Sequence, residues 1–296
     1  MTTLLQPELI ARAEALGLKA RAVVEGLRVG DHRSPYRGFS VEFVQHREYV
    51  PGDDTRHIDW KVYGRAERYT IKQYEQETNF QGHILLDASR SMTYGAGASN
   101  KLEVARVLAA TLAYLIVHQR DSAGLGVFDS AWRHRLPPSG RPEQVRAILR
   151  ALAAIEPGPE TAIGPLLHEL AETVHRRGLV FLITDALDPV VGLLAGLRHL
   201  RFRGHEVVVF HVLHPDELSF PFDGPTRFDA LEGGLRLRTR PELVRAAYLR
   251  ALEAHLDALR AGCAAHRCDY VLMDTSIPLT ESFTEYLARR GRVRRV

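Results

Sequence analysis

The sequence predicts an α/β fold built on a mainly parallel sheet, and two observations carry that reading. From residue 83 onward, short continuous apolar runs alternate with longer helical stretches, as in strands buried on both faces and joined by crossover helices. Two of those runs end on aspartate, "HILLD" at Asp87 and "FLITD" at Asp185. In open sheets of this kind ligands gather at the carboxyl ends of strands, near the point where strand order reverses.

Taken in order, "ILL" (84–86) is the first strand of the sheet, followed by a helix from about 100 to 119. That helix holds the most apolar run of the chain, "VARVLAATLAYLIV". Arg106 interrupts it, and it falls short of the ~20 residues that cross a bilayer. "AGLGVF" (123–128) reads as a strand, and helices follow near 142–153 and 163–176. "LVFLIT" (179–184) and "EVVVFHVL" (206–213) are strands around a helix near 189–201. A long helix over 241–262, the strand "YVLM" (270–273) and a helix over 279–290 complete the pattern.

Residues 18–80 differ in texture. They are dense in charge and aromatics, with turn residues in "DHRSPYRG" and "YVPGDDTRHIDW" between short alternating stretches such as "FSVEFV" and "YTIKQY". The sequence therefore divides into an N-terminal extension, 1–80, and a sheet-bearing domain, 81–296. "MTTLLQPELIARAEALG" at the start reads as an amphipathic helix and lacks the basic and apolar regions of a signal peptide.

Composition bounds the function. With 45% hydrophobic and 25% charged residues over 296 positions, a sizeable core is available. A net charge of +3 is too slight to argue for a nucleic-acid partner, and the aromatic-rich extension is nearly balanced in charge. The arginines at 289, 290, 292, 294 and 295 read first as a solvated tail beyond a helix C-terminus. Cys263 and Cys268, the two cysteines, have neither zinc-site spacing nor the density of a secreted scaffold. The expectation is a cytoplasmic protein without membrane insertion. His205, His211 and His214 read as surface or strand-end residues; the first two lie ~20 Å apart along an extended strand, too far for one ion.

The candidate site is oxygen chemistry. Asp87, Ser89 and Ser91 in "DASRS", Thr161 in the loop "PGPETAIG", and Asp185 form a set of two carboxylates and three hydroxyls. Such a set suits a hard divalent cation, magnesium first and manganese second. Taken singly, the serines, Thr161 and Asp185 are also what turns and helix caps use. Their order and placement at two strand ends are what one metal site requires.

"DASRS" resembles the D-x-S-x-S motif of von Willebrand factor A domains, with Thr161 and Asp185 where that family has its remaining metal-ion-dependent adhesion-site ligands. That likeness implies a doubly wound sheet with helices on both faces, and a magnesium site completed by an acidic residue of a protein partner. Upstream, the run from Arg47 to Lys61, "REYVPGDDTRHIDWK", resembles the signature of domain-of-unknown-function family 58, whose members carry it just before a von Willebrand A-like segment. The resemblance spans about residues 15–290, including "FDALEGG". It implies cooperation with a MoxR-type AAA+ ATPase in chaperone-like work on a client protein.

Within the signature, Arg47, Glu48, Asp53, Asp54, Arg56, Asp59 and Trp60 offer both charge signs and an indole. They read either as a partner surface or as a structural clamp, with an acidic N-cap, one helical turn ending in Trp60, and the indole as anchor. No catalytic motif is present. There is no phosphate-cradling G-x-x-x-x-G-K-[ST], no G-x-S-x-G and no H-E-x-x-H. An aspartate nucleophile at 87 would want a second carboxylate two residues on, where Ser89 stands. The alternative function is a magnesium-dependent hydrolase or phosphatase at the same strand end.

Overall fold

A computed structural model describes residues 41–50, 58–76, 80–158, 161–279, 281–283 and 285–286. The proposed N-terminal helix, Asp53, Asp54, Arg56 and the C-terminal arginines lie outside these residues. Two compact units divide the chain, one within 31–79 and one holding the sheet from Phe80 onward.

In the first unit, β1 (Val41–Glu48) pairs antiparallel with β2 (Thr70–Gln76), with Glu48 opposite Thr70. Between them lies α1 (Trp60–Ala66). Asp59 is its N-cap, its carboxylate accepting the Val62 N–H at 3.3 Å. The expected helical turn ending in Trp60, with its acidic cap, falls largely outside the described residues; the helix that is described begins at Trp60 and takes its cap from Asp59. Trp60 is 62% exposed and meets Tyr63 edge-on, so its indole is not a buried anchor. Tyr63 instead stacks on Tyr69, centroids 4.4 Å apart.

The second unit is a six-stranded sheet. Its strands are β3 (Gln81–Asp87), β4 (Ser122–Phe128), β5 (Trp132–Ser139), β6 (Leu179–Thr184), β7 (Glu206–Leu213) and β10 (Asp269–Asp274), in the order β10-β7-β6-β3-β4-β5. All neighbours are parallel except β5, which runs antiparallel to β4 at one edge. β5 was not legible in the sequence, because "WRHRLPPS" has no buried residue and bears prolines, as an edge strand can. From β3 the chain winds outward through β4 and β5, then returns to the other side of β3 for β6, β7 and β10. The reversal lies between β3 and β6, the two strands that lead into Asp87 and Asp185.

Helices cover both faces, and strand alternation explains why. Ile84, Leu86, Phe181, Ile183, Val208 and Phe210 point into one core, with α2 (Lys101–His118) and α3 (Glu143–Ala153). Leu85, Val180, Leu182, Val207 and Val209 point into the other, with α4 (Ile163–Thr173), α5 (Val190–Phe202) and α7 (Pro241–Ala265). Each fully buried aliphatic side chain contributes about 1.5–3 kcal/mol, so the sheet is a rigid platform for what its strand ends carry. Between β7 and α7 stand a short helix, α6 (Pro215–Ser219), and a hairpin of β8 (Thr226–Asp229) and β9 (Arg236–Thr239). Their short, polar sequences gave no apolar period to read. No helix among the described residues is long and apolar enough to cross a membrane.

Candidate functional site at the strand switch

Asp87 closes β3 and is fully buried. Its Oδ1 accepts the Ser89 backbone N–H at 2.9 Å, the tight turn that short polar residues favour after a strand. Its Oδ2 accepts the Thr184 hydroxyl at 2.7 Å and the Thr161 hydroxyl at 3.4 Å. Burial, and then the charge of Asp185, push the Asp87 carboxyl up to about 7, against the opposing pull of hydrogen bonds from Thr184 and Ser89. The Ser89 and Ser91 hydroxyls lie 3.0 Å apart, both residues buried.

Thr161 reaches the site because its loop is fixed to the strand end. Gly158 donates its N–H to the Ala88 carbonyl at 2.8 Å and bridges to Ser89. Only glycine fits there, since a Cβ would stand 1.7 Å from Asp129 Oδ2. The Asp129 carbonyl then accepts the Ala162 N–H at 3.2 Å, holding the loop at the start of α4.

Asp185 follows β6 and is also fully buried. Its Oδ2 accepts a hydrogen bond from the Lys101 ammonium at 2.9 Å, whereas its Oδ1 has no hydrogen-bond partner. Lys101 opens α2, which is capped by the Asn100 side chain, and its ammonium also donates to Glu217 Oε1 at 2.7 Å. Burial alone would lower the Lys101 pKa, but the charges of Asp185 and Glu217 raise it. Glu217 Oε2 accepts the His214 N–H at 2.7 Å, closing a capping box on α6.

The Asp185 carbonyl is held by His211 Nε2 at 2.7 Å, while His211 Nδ1 meets the Tyr270 hydroxyl at 2.7 Å. Burial lowers the His211 pKa to about 4, so at neutral pH the ring is uncharged, with Nε2 donating and Nδ1 accepting. The three histidines expected at the surface or at strand ends are all buried. His205 and His214 flank β7 as strand-end residues, but His211 lies within it as a support for Asp185.

The structure thus brings Asp87, Ser89, Ser91 and Thr161 together, with Asp185 close enough to raise the Asp87 pKa. Lys101, Glu217 and Thr184 join them without having been singled out in the sequence, and His211, expected at the surface or at a strand end, joins them as a buried support. Lys101 carried a weak signal, a cation just ahead of the most apolar run of the chain. The donor set fits a hard divalent ion. The Ser89 and Ser91 hydroxyls hydrogen-bond to one another at 3.0 Å, a separation that two neighbouring oxygens of an octahedral magnesium shell, ~3.0 Å apart, also have. The orphan Asp185 Oδ1 is a buried acceptor in want of a positive partner. No group of three or more His, Cys, Asp or Glu side chains placed to hold a metal occurs among the described residues. Two carboxylates supplemented by hydroxyls are a different kind of donor set.

These features define a mixed α/β protein with a buried, acidic, hydroxyl-rich site at the switch point of its sheet. The chain belongs to the family described as protein of unknown function DUF58, whose family model matches residues 45–258. It is 28% identical over 266 residues to the uncharacterized protein Rv1480 of Mycobacterium tuberculosis and to the uncharacterized protein Mb1516 of Mycobacterium bovis, covering 88% of this chain and 83% of each relative. Among solved structures it is similar to an aerotolerance-related membrane protein from Bacteroides fragilis, at 22% identity and TM-score 0.46, over 72% of this chain and 98% of that one. It is also similar to the VWA domain of SpRpn10, at 12% identity and TM-score 0.39, over 70% and 95%.

Proposed function

We propose that this chain is a metal-dependent protein-interaction module. Asp87, Ser89, Ser91, Thr161 and Asp185 would hold magnesium, or manganese, directly or through water, and a partner's acidic side chain would complete the ion's shell. The single observation that carries this reading is Asp185 Oδ1, wholly buried at the strand end without a hydrogen-bond partner. A buried carboxylate oxygen left unmatched is costly, and a divalent ion beside it removes the cost. When bound, such an ion supplies an open position that favours carboxylate oxygen. The chain's own part is to present hydroxyls and carboxylates at fixed places on a rigid sheet.

The family resemblance names the partner class in this proposal, a MoxR-type AAA+ ATPase acting with the chain on a client protein. The test is affinity capture from host lysate with wild type and Asp87→Ala, in magnesium and in chelator. An AAA+ ATPase retained by wild type only in magnesium, and not by the variant, is the expected result. Equal recovery in chelator overturns the metal dependence. Phosphoester turnover that disappears in Asp87→Ala would favour the hydrolase reading instead.

A further inference from the structure

The strand-end site already receives a carboxylate from elsewhere in the same chain. Ser91, whose hydroxyl stands 3.0 Å from that of Ser89, donates its backbone N–H to Glu232 Oε1 at 2.9 Å. Glu232 is at the tip of the β8–β9 hairpin, 141 residues further along, so the contact is a tertiary one that the hairpin's shape produces.

That shape is specific to the tip. Ala230 donates its N–H to the Leu235 carbonyl at 2.8 Å, closing the loop around Leu231, Glu232, Gly233 and Gly234. Both glycines have positive φ, +70° and +65°, a conformation that costs other residues about 1 kcal/mol or more. Nothing lies within 4 Å of where their Cβ atoms would be, so glycine serves the backbone turn here and not a lack of space. Strand β8 is held by an aromatic cluster, with Phe228 stacked on Phe220 at 5.5 Å and edge-on to Phe222 at 5.3 Å. The hairpin's arginines Arg227 and Arg236 pair with Asp229. On the facing strand Leu237, opposite Phe228, is 51% exposed, and Leu235, nearer the tip, is 72% exposed. The hairpin is therefore anchored through Phe228 of β8, and its tip bears on the site through Glu232.

We propose that Glu232 is an internal occupant of the place meant for a partner's acidic side chain, so that the β8–β9 hairpin is a latch a partner must displace. This rests on the reading of the strand end as a site that accepts a carboxylate from a partner. It adds a resident competitor and explains a hairpin that the sheet itself does not require. A partner that binds must offer a carboxylate and also lift the tip away from Ser91.

The test uses full-length wild type and Glu232→Gln, which keeps the side chain's size and removes its charge. Two measurements are made: hydrogen exchange of the 226–239 segment, and calorimetric titration of manganese followed by glutarate as a soluble stand-in for a glutamate side chain. Exchange in chelator should be several-fold faster in Glu232→Gln than in wild type. Glutarate should bind the manganese-loaded variant about tenfold more tightly than manganese-loaded wild type. In wild type, saturating glutarate should speed exchange of the hairpin toward the variant's rate. Equal exchange in the two proteins, or equal glutarate affinity including none for either, overturns the latch. Failure of wild type to bind manganese overturns the metal reading instead, and the exchange comparison in chelator still decides whether Glu232 holds the hairpin.

Discussion

The Lys101 ammonium stands 2.9 Å from Asp185 Oδ2 and 2.7 Å from Glu217 Oε1, with its own side chain wholly buried. A lysine in that place neutralises Asp185 while no other cation is present, and it leaves Oδ1 as the oxygen without a partner. The proposed site is thus held together by a built-in cation that also opposes a second one.

Replacing Lys101 separates those two effects. Lys101→Met keeps the stem's bulk but strands Asp185 and Glu217, and breaking a buried ion pair from one side costs about 3–5 kcal/mol. Denaturant unfolding in chelator should show that loss. Manganese affinity measured by calorimetry should move the other way, rising roughly tenfold, because a like charge has been removed from beside the binding oxygens. Weaker affinity would mean Lys101 helps to hold the ion, and unchanged affinity would mean that the ammonium does not oppose it.

Asp87 carries the opposite liability. Its folded-state pKa, about 7, is raised above the usual carboxylate value, so its contribution to stability is full below about pH 4 and is lost as pH rises through 7. Asp87→Asn cannot ionise and escapes that loss. In chelator at pH 8 the variant should melt several degrees above wild type, with the gap closing toward pH 5. Magnesium should raise the melting temperature of wild type and leave that of the variant unmoved.

Gly158 tests how the Thr161 loop is placed. A Cβ at Gly158 would stand 1.7 Å from Asp129 Oδ2 and 2.9 Å from Asp129 Cβ, so Gly158→Ala must push the loop off the strand end. Overpacking of this kind costs about 1–3 kcal/mol. Because the loop delivers Thr161, the magnesium-induced rise in melting temperature should shrink as well. A variant that loses stability but keeps the full magnesium response would remove Thr161 from the site.

What could be read from the sequence follows from how each feature is encoded. Continuous apolar runs announced β3, β4, β6 and β7 because burial on both faces leaves no other composition. "DASRS" and "FLITD" drew attention to Asp87, Ser89, Ser91 and Asp185 through their order at two strand ends, since each residue taken singly is equally what a turn or a helix cap uses. β5 and the β8–β9 hairpin are exposed on at least one side and carry charge, with proline in β5 as well, so no period marked them. Lys101, Glu217 and Glu232 reach the strand ends through tertiary contacts spanning 84 to 141 residues. Such contacts depend on sheet order, which local pattern does not encode. His211 was misjudged for a related reason: its polarity suggested a surface, while the Asp185 carbonyl and the Tyr270 hydroxyl satisfy both ring nitrogens inside the fold.

His83, on β3 well before Asp87, gives a pH prediction that does not involve the site. It is 7% exposed, and its Nε2 has no hydrogen-bond partner. Burial first, then the neighbouring His205 and Arg135, lower its pKa to about 4. A histidine depressed in this way gives stability that is present above about pH 6.5 and is lost as pH falls through 4, because the unfolded chain takes up the proton first. A shift of that size corresponds to about 3 kcal/mol. His83→Phe keeps the ring and removes the proton site, so the acid loss between pH 7 and pH 4 should be smaller in the variant by an amount of that order. Urea unfolding at both pH values, in chelator, measures the difference directly. Parallel losses in the two proteins would mean that His83 is protonated in the folded state without penalty, and that the acid sensitivity arises at other buried groups such as His211.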